Sequence, residues 1–111
     1  MTVLHELSVR YMFRGVKGGW VYIMTNRPGG VLYVGVCADL TRRVGQHRAG
    51  EGSTFCKRYN LRRLVYVESY PTIDEAIRRE MAMKEWRRAW KVKRITETNP
   101  RWDDLWTKIN A

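Results

Sequence analysis

Two short runs early in the chain are dense in β-branched and aromatic residues: Trp20-Val21-Tyr22-Ile23-Met24 and Val31-Leu32-Tyr33-Val34-Gly35. Between them lies Thr25-Asn26-Arg27-Pro28-Gly29-Gly30, rich in turn formers, so the pair reads as a β-hairpin with a long connection. Asp39 is placed as the N-cap of a helix running from Leu40 to about Arg48 and stopping near Gly50. Gly50, Gly52 and Ser53 mark a loop, Arg63 to Tyr70 reads as a third strand, and Pro71 ends it. Thr72 and Glu75 have capping-box spacing and open a helix from Ile73 to about Arg87. A second helical stretch, about Arg88 to Glu97, continues it or bends away until Asn99-Pro100 stops it, and Trp102 to Ile109 forms a short last helix or turn. The predicted order is β-β-α-β-α-α, an α/β (α+β) domain. Residues 1–18 lack a clear period, end beside Gly18-Gly19, and read as a poorly ordered or late-docking N-terminal arm.

Length changes this picture little, since 111 residues fit one domain. Charge changes it more. Against 11 Asp and Glu stand 21 Lys and Arg, a net charge of +10. On so small a domain that excess projects a field that draws anions, nucleic acid foremost. A membrane surface is the main competitor, ribosome association is a form of the nucleic-acid reading, and solubility alone is the bland one. Cys37 and Cys56 form no Cys-x-x-Cys pair and read as free thiols in a reducing compartment. No apolar run approaches the roughly 20 residues of a membrane-spanning helix. His5, Glu6, Arg10 and Arg14 interrupt the stretch where a signal-peptide core would lie, so the expected location is cytoplasmic.

Candidate chemistry sits in four places. If Met24 pairs with Val31, Tyr22 lies opposite Tyr33 on one face of the hairpin, either as a packed aromatic pair or as two phenols lining a site. On the following helix Leu40, Val44 and His47 share a face, with Arg43 flanking it at i,i+4 from His47. His47 is then either a partly buried helix residue with no task or part of a site with the arginine and the phenols. On the helix after Pro71, Ile73, Ala76 and Ile77 define an apolar stripe, and Glu80 falls in its middle. A carboxylate there needs a salt bridge, with Arg43 or Lys84 the candidates, or a metal ion. Finally, Arg42, Arg43, Arg48, Lys57, Arg58, Arg62 and Arg63 cluster around Phe55 and Tyr59. Arg87, Arg88 and Lys91 form part of a second basic group around Trp86 and Trp90. Cations interleaved with aromatics suit phosphate contact and base stacking, and the alternative is a solvated helix face over core tryptophans.

Val21-Tyr22-Ile23 followed by Tyr33-Val34-Gly35 resembles the paired motifs of the GIY-YIG nuclease superfamily. The run Tyr33 to Val44 extends the likeness, its Asp39-Leu40-Thr41-Arg42-Arg43 ending placing Arg43 at the family's arginine. His47 falls where Tyr or His is common, and Glu80 at the metal-binding glutamate. The likeness is closest to small single-domain bacterial members related to the excision-repair endonuclease N-terminal domain. Lys57-Arg58-Tyr59, Leu64-Val65-Tyr66, Trp86 to Lys91 and Asn99-Pro100-x-Trp102 also recur in these. It covers about residues 19–106, leaving 107–111 as a C-terminal tail.

The resemblance implies a small three-stranded mixed sheet flanked by helices. It also implies a metal-dependent endonuclease that hydrolyses phosphodiesters in DNA, in repair or recombination. Glu80 would hold one Mg²⁺ or Mn²⁺ at the leaving oxygen. Tyr22 would help deprotonate water, assisted by His47, Arg43 would neutralise the phosphate, and Tyr33 would position phosphate or water. Arg42, Lys57, Arg58, Arg62, Arg87 and Lys91 are the expected nucleic-acid contacts, with DNA the partner and RNA the alternative. No membrane partner or small-molecule cofactor is expected. Trp20 stands where the first motif usually has Gly, and Val36 where excision-repair members have Lys. The alternative is a nucleic-acid-binding module on the same fold with weak or no cleavage.

Overall fold

The computed structural model describes residues 2–3 and 18–110. Its elements are β1 (Thr2–Val3), β2 (Gly19–Thr25), β3 (Leu32–Cys37), α1 (Leu40–Arg48), α2 (Thr54–Tyr59), β4 (Arg63–Tyr70), α3 (Ile73–Glu85), α4 (Arg88–Thr98) and α5 (Trp106–Ile109). β2, β3 and β4 make the small helix-flanked sheet expected from the sequence. Its spatial order is β1-β4-β2-β3, and every described pairing is antiparallel. The short β1 pairs with the far side of β4, and the rest of the proposed arm lies outside the described residues.

Side chains alternate along a strand, so the central strand β2 feeds two cores. Trp20, Tyr22 and Met24 enter one, with Cys37, Leu40, Val44, Cys56, Leu61, Leu64, Val67 and Ile109. Val21 and Ile23 enter the other, with Val34, Val65, Tyr66, Ala76, Met83, Ile95 and Trp102. Helices α1, α2 and α5 thus cover one face, and α3 and α4 the other. β2 is buried along its whole length, as a strand covered on both faces must be. Helix α5 carries Ile109 into the first core, so ordered packing runs into what the sequence reads as a tail.

The hairpin register differs from expectation by two residues. Asn26 Oδ1 accepts from the Val31 amide at 2.9 Å and the Gly30 amide donates to Arg27, which folds Val31 into the connection. Pairing therefore begins at Thr25 and Leu32, so Met24 faces Tyr33 and Tyr22 faces Gly35. A slip of two preserves which face each side chain occupies, so Tyr22 and Tyr33 stay on one side, diagonal rather than opposite.

Helix α2 occupies part of what the sequence reads as loop. Ser53 caps its first turn, accepting from the Cys56 amide, and Asn60 closes it in the left-handed conformation at φ 59°. Asp39 and Thr72 cap α1 and α3 as expected, accepting from the Arg42 and Glu75 amides. Trp86 and Arg87 are extended, at ψ 147° and 148°, so α3 and α4 are separate helices.

The buried stripe of α3 is Ala76, Glu80 and Met83, whereas Ile73 and Ile77 are exposed, a rotation from the stripe expected. Gly19 explains it. A Cβ there would stand 2.6 Å from the Ala76 Cβ, so helix and strand meet through two small residues and Ile77 is turned outward.

Candidate functional site

β2 and α1 bring Tyr22 and His47 together beneath the first helical layer. The Tyr22 hydroxyl and His47 Nε2 are 2.9 Å apart, and both residues are buried. Gly35 makes room, because a Cβ there would lie 2.3 Å from Tyr22 Cζ. Tyr33 completes the group, its ring centroid 6.4 Å from Tyr22 and 5.7 Å, edge-on, from His47. Arg43, on the flank of α1, acts electrostatically on Tyr22, Cys37 and His47 alike. Four of the five expected catalytic residues are therefore one neighbourhood.

Its electrostatics follow from burial. Desolvation, and then the neighbouring Tyr33 and Cys37, push the Tyr22 phenol well above its ordinary range, with Arg43 opposing. Burial, aided by the Arg43 charge, pushes His47 down to about 4, so its imidazole is neutral at pH 7. Burial also raises the Cys37 thiol to about 12, making it inert. Transfer of a proton from Tyr22 to His47 is thus uphill from both ends.

His47 Nδ1 is buried with no hydrogen-bond partner among the described residues, and it faces Gly52, where an added Cβ would be 3.3 Å away. If the Tyr22 hydroxyl donates to Nε2, Nδ1 carries the bare proton; if Nε2–H donates to the phenol oxygen, the fully buried phenolic proton is bare instead, so the pair holds one unmet donor in either tautomer.

Glu80 belongs to the other layer. It is 9% exposed on the face of α3 that packs against β2 and β3, and its Oε2 pairs with Lys84 Nζ at 3.0 Å, one of the two ion-pair partners anticipated. Among the described residues β3 is an edge strand, and both layers border it. Among the described residues no group of three or more His, Cys, Asp or Glu gathers as a metal site. Glu80, the one residue the metal expectation names, has its carboxylate paired with Lys84.

The expected nucleic-acid contacts divide between the layers. Arg42 on α1 and Lys57 and Arg58 on α2 are exposed, and Arg58 lies over the Tyr59 ring at 5.6 Å. Arg62 is exposed but donates to the Arg48 carbonyl, while Arg48 donates to the Arg62 carbonyl and pairs with Asp104. Arg87 and Lys91 lie on the α3–α4 side, Arg87 over Trp90 and Lys91 near the Lys84 carbonyl.

Sequence reasoning missed Glu68. It is fully buried on β4 and receives hydrogen bonds from Tyr66, from Tyr70 at 2.8 Å, and from Arg79 at 3.0 and 3.1 Å, with Arg94 at 3.8 Å. Burial alone would raise its pKa, but these hydrogen bonds and the Arg79 charge outweigh it and hold the carboxyl below its ordinary range. The visible signal was a lone acid within the strand Leu64 to Tyr70, with an arginine on the next helix. Because Arg79 precedes Glu80, the same network fixes α3 and so places Glu80.

Residues 18–94 match the profile of the GIY-YIG catalytic domain. The chain is 38% identical to a UPF0213 protein of Staphylococcus epidermidis over 78 residues, covering 70% of this chain and 94% of that one. It is 30% identical to a UPF0213 protein of Cupriavidus pinatubonensis over 77 residues, covering 69% and 86%. The solution NMR structure of a UPF0213 protein from Bacillus halodurans is 26% identical, covers 78% of this chain and 92% of its own, and superposes with a TM-score of 0.49.

Proposed function

The chain belongs to the GIY-YIG family, and from that premise we propose that it is a nucleic-acid-binding protein whose Tyr33 and Arg43, supported by the buried Tyr22–His47 pair, hold a backbone phosphate, with cleavage weak or absent in the protein alone. The observation that carries this reading is the buried Tyr22–His47 hydrogen bond with half-buried Tyr33 and Arg43 around it. A phenol beside a guanidinium suits the non-bridging oxygens of a phosphodiester, and the buried pair holds Tyr33 and Arg43 in place from beneath. DNA is the expected polymer and RNA the alternative. The two unpaired buried thiols suit a reducing, cytoplasmic setting.

A second reading is the metal-dependent endonuclease of repair or recombination, favoured by Tyr22, Tyr33, Arg43, His47 and Glu80 all being present in one chain. Mg²⁺ keeps most of its waters and binds through one or two carboxylates plus substrate phosphate, a demand that Glu80 by itself can meet. When bound there, Mg²⁺ or Mn²⁺ would supply charge neutralisation at the leaving oxygen. The chain's own part is then Arg43 balancing charge on the phosphate, Tyr33 orienting it, and the Tyr22–His47 pair bonding the attacking water. The opposed proton affinities of that pair make it a poor base, which weighs toward binding.

Anisotropy titrations with labelled DNA test the first reading. Arg43→Ala and Tyr22→Phe should each weaken binding several-fold, and unchanged affinity in both would sink it. Plasmid and flap-DNA incubation with Mn²⁺ tests the second. Cutting by wild type that disappears in Glu80→Ala and Tyr22→Phe establishes turnover, whereas equal cutting by all three marks a contaminant.

A further inference from the structure

Helix α2 exposes two aromatic rings side by side. Phe55 and Tyr59, at i and i+4, are 42% and 43% exposed, with centroids 4.8 Å apart. Cys56 is the one buried side chain of this helix, and the Ser53 and Asn60 caps fix both ends, so Phe55 and Tyr59, on the face flanking Cys56, border the core without entering it. Nor are the rings isolated, because Phe55 stacks on Tyr33 at 6.1 Å and 27°, and Tyr33 meets His47 edge-on. Aromatic surface therefore runs without a break from solvent down to the Tyr22–His47 pair. A cation sits at its outer end, Arg58 over the Tyr59 ring at 5.6 Å.

We propose that Phe55 and Tyr59 form a stacking platform for an unpaired nucleobase, so that the protein engages single-stranded or frayed nucleic acid rather than intact duplex. This rests on the phosphate-binding reading of the neighbouring cluster and gives it a substrate class. Bases in a duplex already stack on each other and present only edges to a protein, whereas an unpaired base offers a π-face that an exposed ring can cover. The cationic surroundings favour a polyanion over an apolar peptide as the occupant. The continuity through Tyr33 places the phosphate adjoining a stacked base beside Tyr33 and Arg43.

The test compares four labelled probes by anisotropy: oligothymidine, oligouridine, an abasic strand of the same length, and a blunt duplex. Wild type should prefer the two base-bearing single strands. Phe55→Ala and Tyr59→Ala should each lower affinity for those strands about five-fold or more, the range set by loss of one stacked base. Abasic-strand and duplex binding should stay unchanged. Phe55→Leu, which keeps apolar bulk but no π-face, should behave like Phe55→Ala while melting as wild type does. The oligothymidine and oligouridine arms decide between DNA and RNA. Equal loss on all four probes, or none on any, overturns the platform but leaves phosphate binding standing. Binding to no probe overturns both. Dissolution of a self-associated species by Phe55→Ala, without change in strand affinity, reassigns the rings to a contact between copies and also overturns it.

Discussion

Gly35 has no side chain to lose, yet its smallness decides the site, because the Tyr22 ring fills the space where a Cβ would project. Tyr22 is itself fully buried and cannot swing aside. Gly35→Ala is expected to destabilise the fold by about 1–3 kcal/mol through overpacking, read by urea denaturation, and to weaken phosphate binding with it. His47 and Glu68 make stability depend on pH with the same sign. The unfolded imidazole takes up a proton near 6.5, while the folded one resists down to about 4. Stability therefore falls as pH drops through that window, by about 1.4 kcal/mol for each unit. The Glu68 carboxyl is depressed in the fold, so its contribution is present above the ordinary value of 4.5 and is lost as pH falls below it. Urea midpoints measured from neutral to acid pH should decline first in the imidazole window and further below it. His47→Gln should flatten the first part alone, and a flat wild-type profile would contradict both assignments.

At the scale of elements, β2, β3, β4 and the caps at Asp39 and Thr72 were legible because period and capping chemistry are local. What was not legible depended on partners. The hairpin register turned on Asn26 Oδ1 reaching the Val31 amide, a choice that turn-residue composition does not encode. Helix α2 was read as loop because six residues are too few to show a period, and its stop is an asparagine in a conformation usually given to glycine. The α3 stripe was drawn through Ile73 and Ile77 on hydrophobicity, whereas the contact of Ala76 with Gly19 set the helix's rotation. In the site, the pairing of Tyr22 with Tyr33 follows from strand face and that of Arg43 with His47 from helical spacing, whereas the meeting of the two pairs is what the family resemblance implies. Placement of Glu80 in the opposite layer follows from none of these, because it depends on which side of the sheet α3 crosses. Ala76→Val should therefore cost about 1–3 kcal/mol by forcing α3 off β2. Ile77→Ser, despite removing a larger apolar group, should stay within about 0.5 kcal/mol. Thermal melts of the two variants give the ordering, and the reverse ordering would mean the stripe runs through Ile77 after all.

Over the whole molecule the net charge is +10, and the basic side chains of the described residues are spread across both helical layers. Part of it is committed to structure. Arg79 and Arg94 serve Glu68, Arg48 serves Asp104, and Arg88 donates to the Gly29 and Gly30 carbonyls at 2.8 and 2.7 Å, tying α4 to the hairpin turn. Arg42, Lys57 and Arg58 are exposed on α1 and α2. Binding should weaken along a straight line in a plot of log affinity against log salt, and Lys57→Ala or Arg42→Ala should each reduce the slope by about 1. Arg88→Ala should leave the slope unchanged and lower the melting temperature instead. Among the described residues no helix is long and apolar enough to cross a membrane.

The central sheet keeps these two economies apart. On one side lie the phenols and the imidazole, and on the other lies the Glu68 network that fastens α3. Changes on opposite sides of a well-paired sheet share few partners, so double substitutions drawn one from each side should sum with little coupling. Substitutions among the phenols can then accumulate in a lineage that inherits intact the architecture fastened on the far side.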